Sequence, residues 1–328
     1  MADIQAPSRA LRTAAATAAG ITRRGLPGPE WEWLSNGLYG PRGTRTRPVE
    51  LLTALREVLP ADAVFGSITA AALRGWPLPW LPEGSPVMAA TSGPLHVQRE
   101  GVYVRRLVEV RAEPYRGLPL LTTPELLCDL ARDLQLVDLV PVVDAALRAD
   151  GLQPADVRAK VRPRTKGGPR LLAALALADP RAESFWESVL RLVHVLGGIS
   201  QVEPQVWIVD GTVRGDLWLV GTRRIVEYDG ADHLERRRHQ RDIRRDKEVL
   251  RARWERYPYI ASEIISTPGR ILGDAEEALA LPHDPARLAR WLEHARLSTL
   301  TGQGKAMLER RFDRYRLASW RPDRPRPR

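Results

Sequence analysis

The stretch Arg214-Gly-Asp-Leu-Trp-Leu-Val220, Gly221-Thr222, Arg223-Arg-Ile-Val-Glu-Tyr-Asp-Gly230 decides how this chain is read. Two apolar runs flank a two-residue turn that contains glycine, the pattern of a β-hairpin. A turn at Gly221-Thr222 sets Val220 against Arg223, Trp218 against Ile225, Asp216 against Glu227 and Arg214 against Asp229. Side chains alternate along a strand, so Asp216 shares one face with Glu227 and Asp229. Opposed Cβ atoms lie about 4.5–5.5 Å apart, and two carboxylates that close repel unless a counter-charge offsets them. A divalent cation is one such counter-charge, because magnesium takes one or two carboxylates and completes its shell with water and substrate phosphate. The same spacing also fits acids that face solvent on an antiparallel sheet, with Asp229 paired to Arg214. The apolar residues around Glu227 favour burial of that acid.

The neighbouring segments extend the pattern. Residues 183–196 carry apolar side chains at 185, 189, 192, 193 and 196, one face of a helix that Gly197-Gly198 ends. Residues 202–209 read as a strand, 232–255 as a long basic helix, 259–265 as a last strand and 285–295 as a further helix. The order is helix, three strands, helix, strand. The preceding region mixes short elements: helices at 51–58, 67–73, 123–131, 137–147 and 170–177, and strands at 87–91 and 95–107. Asp179-Pro180 marks a break. The expected organisation is therefore an N-terminal α+β domain over 1–179, a second domain over 180–300, and an Arg/Pro-rich tail over 301–328.

Composition narrows the function classes. The chain has 328 residues and a formal net charge of +10, a balance that favours a polyanionic partner such as nucleic acid. Only Lys160, Lys166, Lys247 and Lys305 among its basic residues are lysine. Arginine's planar fork suits phosphate. Residues 310–328 hold eight arginines, two aspartates and three prolines, which predicts an extended tail. Over 236–256, ten basic residues stand against four acidic ones. Arg237, Arg241, Arg244 or Arg245, and Arg251 fall on one stripe at helical spacing, a candidate phosphate-contact face. An ion-paired solvated helix is the other reading. His194 and His239 read as solvated helix residues. A single cysteine, Cys128, excludes a disulfide framework and any multi-cysteine zinc site, and its apolar neighbours predict a small core residue. No long apolar run predicts a membrane span, and no signal peptide is legible, so the expectation is a cytoplasmic protein with no membrane partner.

Arg214-Gly-Asp216, Val226-Glu-Tyr-Asp-Gly230, His233, Asp242, Arg245, Asp246 and Leu250 together resemble the endonuclease-like domain related to very-short-patch repair endonucleases, a branch of the PD-(D/E)XK superfamily. Glu187-Ser-Val-Leu-Arg191 resembles that domain's first helix, and Pro204-Gln205-Val206 its first strand. The match covers roughly residues 181–265. The resemblance implies a restriction-endonuclease-like αβββαβ core and Mg2+ or Mn2+ held by Asp216, Glu227 and the carbonyl of Tyr228. It also implies His233 near the attacked phosphate and Glu187 contributing from the first helix. The implied activity is metal-dependent hydrolysis of DNA phosphodiester bonds, as endonuclease or nickase, in repair or defence. Asp229 stands where the superfamily carries its lysine, as is usual for this branch. Within residues 1–179, Ala71-Ala-Leu-Arg-Gly-Trp-Pro-Leu-Pro79, Gly117-Leu-Pro-Leu-Leu-Thr-Thr-Pro-Glu125, Asp129-Leu-Ala131 and Asp144-Ala-Ala-Leu147 resemble the AbiEi-type antitoxin-like region of toxin–antitoxin systems. There Trp33-Leu-Ser-Asn-Gly-Leu-Tyr39 resembles the end of a winged helix-turn-helix. The alternative function is a non-catalytic DNA-binding, antitoxin-like regulator that keeps a degenerate nuclease fold.

Overall fold

The computed structural model describes residues 10–12, 29–94, 99–161, 165–230 and 249–319. Across these the chain is mixed α/β with three sheets, and it divides into two units.

The first unit takes residues 1–76, 81–130 and 309–328. Strands β1 (Leu11–Arg12), β2 (Trp31–Ser35) and β3 (Leu38–Pro41) form an antiparallel sheet ordered β1-β3-β2. The β2–β3 hairpin turns at Asn36-Gly37, where Gly37 has φ 71°, a conformation glycine adopts without penalty. Helix α1 (Pro48–Arg56) opens on proline, whose fixed φ suits a first helical turn. Then come β4 (Val64–Phe65), α2 (Ser67–Leu73), β5 (Val87–Thr91), β6 (Val102–Arg106), β7 (Ala112–Tyr115), β8 (Leu118–Leu121) and α3 (Thr123–Leu130). The five strands order as β6-β5-β4-β8-β7. Phe65, Leu120, Leu126 and Leu127 are wholly buried in this unit, and Cys128 is buried too. Burial pushes the Cys128 thiol up to about 11, which suits the core role its apolar neighbours predict.

The second unit takes residues 77–80 and 131–308. Helices α4 (Leu136–Asp150), α5 (Pro154–Arg158), α6 (Gly168–Leu177) and α7 (Phe185–Leu196) precede a four-stranded sheet. Its strands are β9 (Val202–Ile208), β10 (Val213–Leu219), β11 (Arg224–Tyr228) and β12 (Glu255–Tyr259), ordered β12-β11-β10-β9. The first three run antiparallel in sequence, and β12 returns parallel to β11. Helices α8 (Ala261–Ser266), α9 (Pro268–Ala278) and α10 (Ala286–Ala295) follow, then α11 (Gly302–Ser319), which passes from the second unit into the first at 308/309. No helix among the described residues is long and apolar enough to cross a membrane.

Several expectations need correction. The boundary near residue 180 does not coincide with the division into units, which falls at 130/131. Helix α4 belongs with the second unit because its buried acids are satisfied there. Asp144 accepts from Ser188 Oγ at 2.7 Å and from Arg191 at 2.9 Å, and Asp138 accepts from Ser298 and Thr299. The tail expected over 301–328 is helical over Gly302–Ser319. Leu308 and Phe312 are buried, and Tyr315 stacks on Tyr103 with ring centroids 4.4 Å apart, so apolar anchors hold the arginines in a helix. The strand expected at 259–265 lies earlier, at Glu255–Tyr259, and Glu263 is helical. His194 is not solvated but wholly buried. The long basic helix falls mostly outside the described residues, with Val249–Arg251 at its described end.

Candidate functional site

The hairpin register is the one the turn predicts: Leu217 pairs with Val226 and Trp218 with Ile225. Gly215 makes the close approach of these strands possible. A Cβ there would lie 2.9 Å from Ile225 Cγ2, inside contact distance of a stiff, β-branched side chain. Beyond Leu217 the ladder gives way to a side chain, as the backbone N–H of Tyr228 donates to Asp216 Oδ2 at 3.0 Å. Asp216, half-buried, is thereby anchored to the strand that carries Glu227.

Glu227 is 4% exposed, as its apolar neighbours predict. A carboxylate this buried needs a counter-charge, and β12 supplies one. Arg256 Nε donates to Glu227 Oε2 at 2.6 Å, and Arg256 Nη2 closes on the same oxygen. Asp229 is exposed and its N–H donates to Tyr259 O at 3.0 Å. Among the described residues no three acidic, histidine or cysteine side chains gather closely enough to hold a metal ion. The sequence reading places three carboxylates on this face; Glu227 meets Arg256 there, and Asp229 is exposed. An oxygen-only pair suits a hard divalent cation. Such a cation at Glu227 has to share or displace Arg256.

Helix α7 frames one side. Ser184 caps it by accepting from Glu187 N at 3.1 Å, and the Glu187 carboxylate accepts from Glu183 N and from Gln205 Nε2, both at 2.8 Å. Ser184 thus caps the helix, and Glu187 ties its start to β9 through Glu183 N and Gln205, whose φ is 56°. Trp186 stacks on Tyr228, with ring centroids 5.8 Å apart. Arg214 does not pair with Asp229 as one reading had it; it donates to Glu183 at 2.6 Å and lies over the Trp207 ring. Trp207 is 61% exposed on the edge strand β9. Arg251 is exposed at the described end of the basic helix. His233, Arg237, Arg241, Arg244 and Arg245 lie outside the described residues.

Sequence reasoning missed Arg256 and Gln205. The signal for Arg256 was the spacing from Leu250. Arg253 takes the left-handed conformation (φ 59°) where the helix ends, so the next strand starts four residues earlier than expected. Pro258 is tolerated because β12 is an edge.

No family model matches the chain, and neither does any curated protein or solved structure with which it was compared.

Proposed function

We propose that the second unit is a metal-dependent DNA endonuclease or nickase with a PD-(D/E)XK-like core. The element order supports the core: α7, then the antiparallel β9-β10-β11, then β12 parallel to β11 after the segment read as a helix. The observation that carries the activity is the juxtaposition of Asp216 and Glu227 on adjacent strands at the end of the hairpin, one anchored by a backbone N–H and the other buried. When bound, magnesium offsets charge on the phosphate and activates a water. Asp216 and Glu227 would hold it, with the Tyr228 carbonyl. Arg214, Arg251 and the arginines of residues 236–245 are the candidates for contact with the DNA backbone. His233 would orient or deprotonate a water, as a group with a near-neutral free pKa can.

Purified protein incubated with supercoiled plasmid should nick or linearise it with magnesium and not with chelator. Asp216→Ala and Glu227→Ala should each abolish cleavage while duplex binding stays the same or tightens, since each removes a negative charge facing phosphate. Cleavage by the double variant at the wild-type rate would sink the assignment.

A second reading is a DNA-binding regulator without catalysis. The arginine already on Glu227 and the aspartate in the lysine's place favour it. It is the reading left standing if duplex binding is salt-sensitive and no substrate is cut.

A further inference from the structure

We propose that Arg256 is a displaceable counter-ion: it occupies Glu227 until a DNA phosphate draws the guanidinium away, and so makes divalent-cation binding and DNA binding cooperative. This rests on the reading of Asp216 and Glu227 as the cation pair.

The two acids are held in different ways. Asp216 is anchored by a backbone N–H of the neighbouring strand, a partner that cannot leave without the strand. Glu227 is held by a side chain on an edge strand. The Glu227 side chain is 5% exposed and that of Arg256 26%, so the acid is inside and the arginine reaches it from the solvent side. Arg256 Nε and Nη2 both meet Glu227 Oε2, a charge-assisted contact of the guanidinium fork with a carboxylate. Phosphodiester oxygens suit the same fork. A phosphate arriving over Asp216 and Glu227 therefore competes for Arg256 with the group that a cation also needs.

The linkage follows. Without DNA, the cation sees only the fraction of molecules whose Glu227 is released, and its apparent affinity falls by that fraction. DNA that engages Arg256 raises the fraction, and by reciprocity the cation raises DNA affinity by the same factor. Arg256 acts through Glu227 and is a positioning residue.

The test titrates Mn2+ into full-length protein without DNA, followed by the electron paramagnetic resonance signal of free Mn2+. Arg256→Gln should bind Mn2+ on the order of tenfold more tightly than wild type, the scale of ordinary coupling between sites. The double variant Arg256→Gln with Glu227→Gln should lose that gain. Arg256→Lys, which keeps a charge but not the fork, should fall between, and it decides the matter if Arg256→Gln does not fold. In a second arm, Ca2+ should tighten binding of a fluorescent duplex to wild type more than to Arg256→Gln. If removal of the guanidinium leaves Mn2+ affinity unchanged, the counter-ion role is overturned, while magnesium-dependent plasmid cleavage by wild type would leave the nuclease reading intact. If no variant binds Mn2+ saturably, both fall.

Discussion

His194 lies wholly buried on α7, its Nδ1 2.8 Å from Leu190 O and its Nε2 without a hydrogen-bond partner among the described residues. Burial lowers its pKa from 6.5 to about 4. Between those values the unfolded chain takes a proton and the folded chain does not. Stability is therefore intact above pH 6.5 and is lost as pH falls towards 4, at up to about 1.4 kcal/mol per pH unit. Asp144 opposes this, because burial pushes its carboxyl up to about 6 despite Arg191 beside it. Comparing wild type with His194→Leu isolates the histidine. The variant should lose less melting temperature than wild type between pH 7 and pH 4.5, and equal losses would remove His194 as the cause. The residue looked solvated in the sequence because the helix stripe of Glu183, Glu187 and Arg191 is polar. Arg191, however, turns inward to Asp144, and His194 follows it under the helices.

At the scale of elements, the hairpin was legible because one glycine turn fixes every pairing, and the pairings place Asp216 and Glu227 together. Gly215 is the hidden requirement. Gly215→Ala should destabilise by about 1–3 kcal/mol through overpacking against Ile225. Combining it with Ile225→Ala should cost less than the sum of the single changes, since the double variant relieves the contact; strict additivity in thermal melts would mean the strands adjust elsewhere. Helix spans such as Ser67–Leu73 and Ala286–Ala295 were readable from their spacing. Helix α9 went unread, and the last strand was displaced, for a common reason. Their positions depend on where Arg253 breaks the helix and on Arg224. Arg224 is a buried cation on β11 that donates to Glu255 at 2.8 Å and to Asp274 O at 2.6 Å. Contacts between segments decide such boundaries, and no local pattern encodes them. The same holds for Arg256, whose role emerges only once β12 lies beside β11.

For the whole molecule, the charge of +10 sets how binding responds to ionic strength. Duplex affinity should fall steeply with salt, with a log–log slope of about −0.9 per phosphate contact. Replacing Arg237, Arg241 and Arg245 together with alanine should reduce the slope by roughly two to three units if all three meet phosphate. An unchanged slope with intact circular dichroism would move the contact surface elsewhere, first to the arginines from Arg310 onward. Arg310, Arg311, Arg314 and Arg316 share helix α11 with Phe312 and Tyr315, which the first unit claims although they follow the second unit in sequence. A ribosome therefore releases Tyr103 and Arg105 long before the aromatic rings that stack on them exist. The first unit cannot be finished co-translationally in chain order. It has to wait, one surface uncovered, until the second unit has been synthesised, and an N-terminal fragment ending near residue 179 would wait indefinitely.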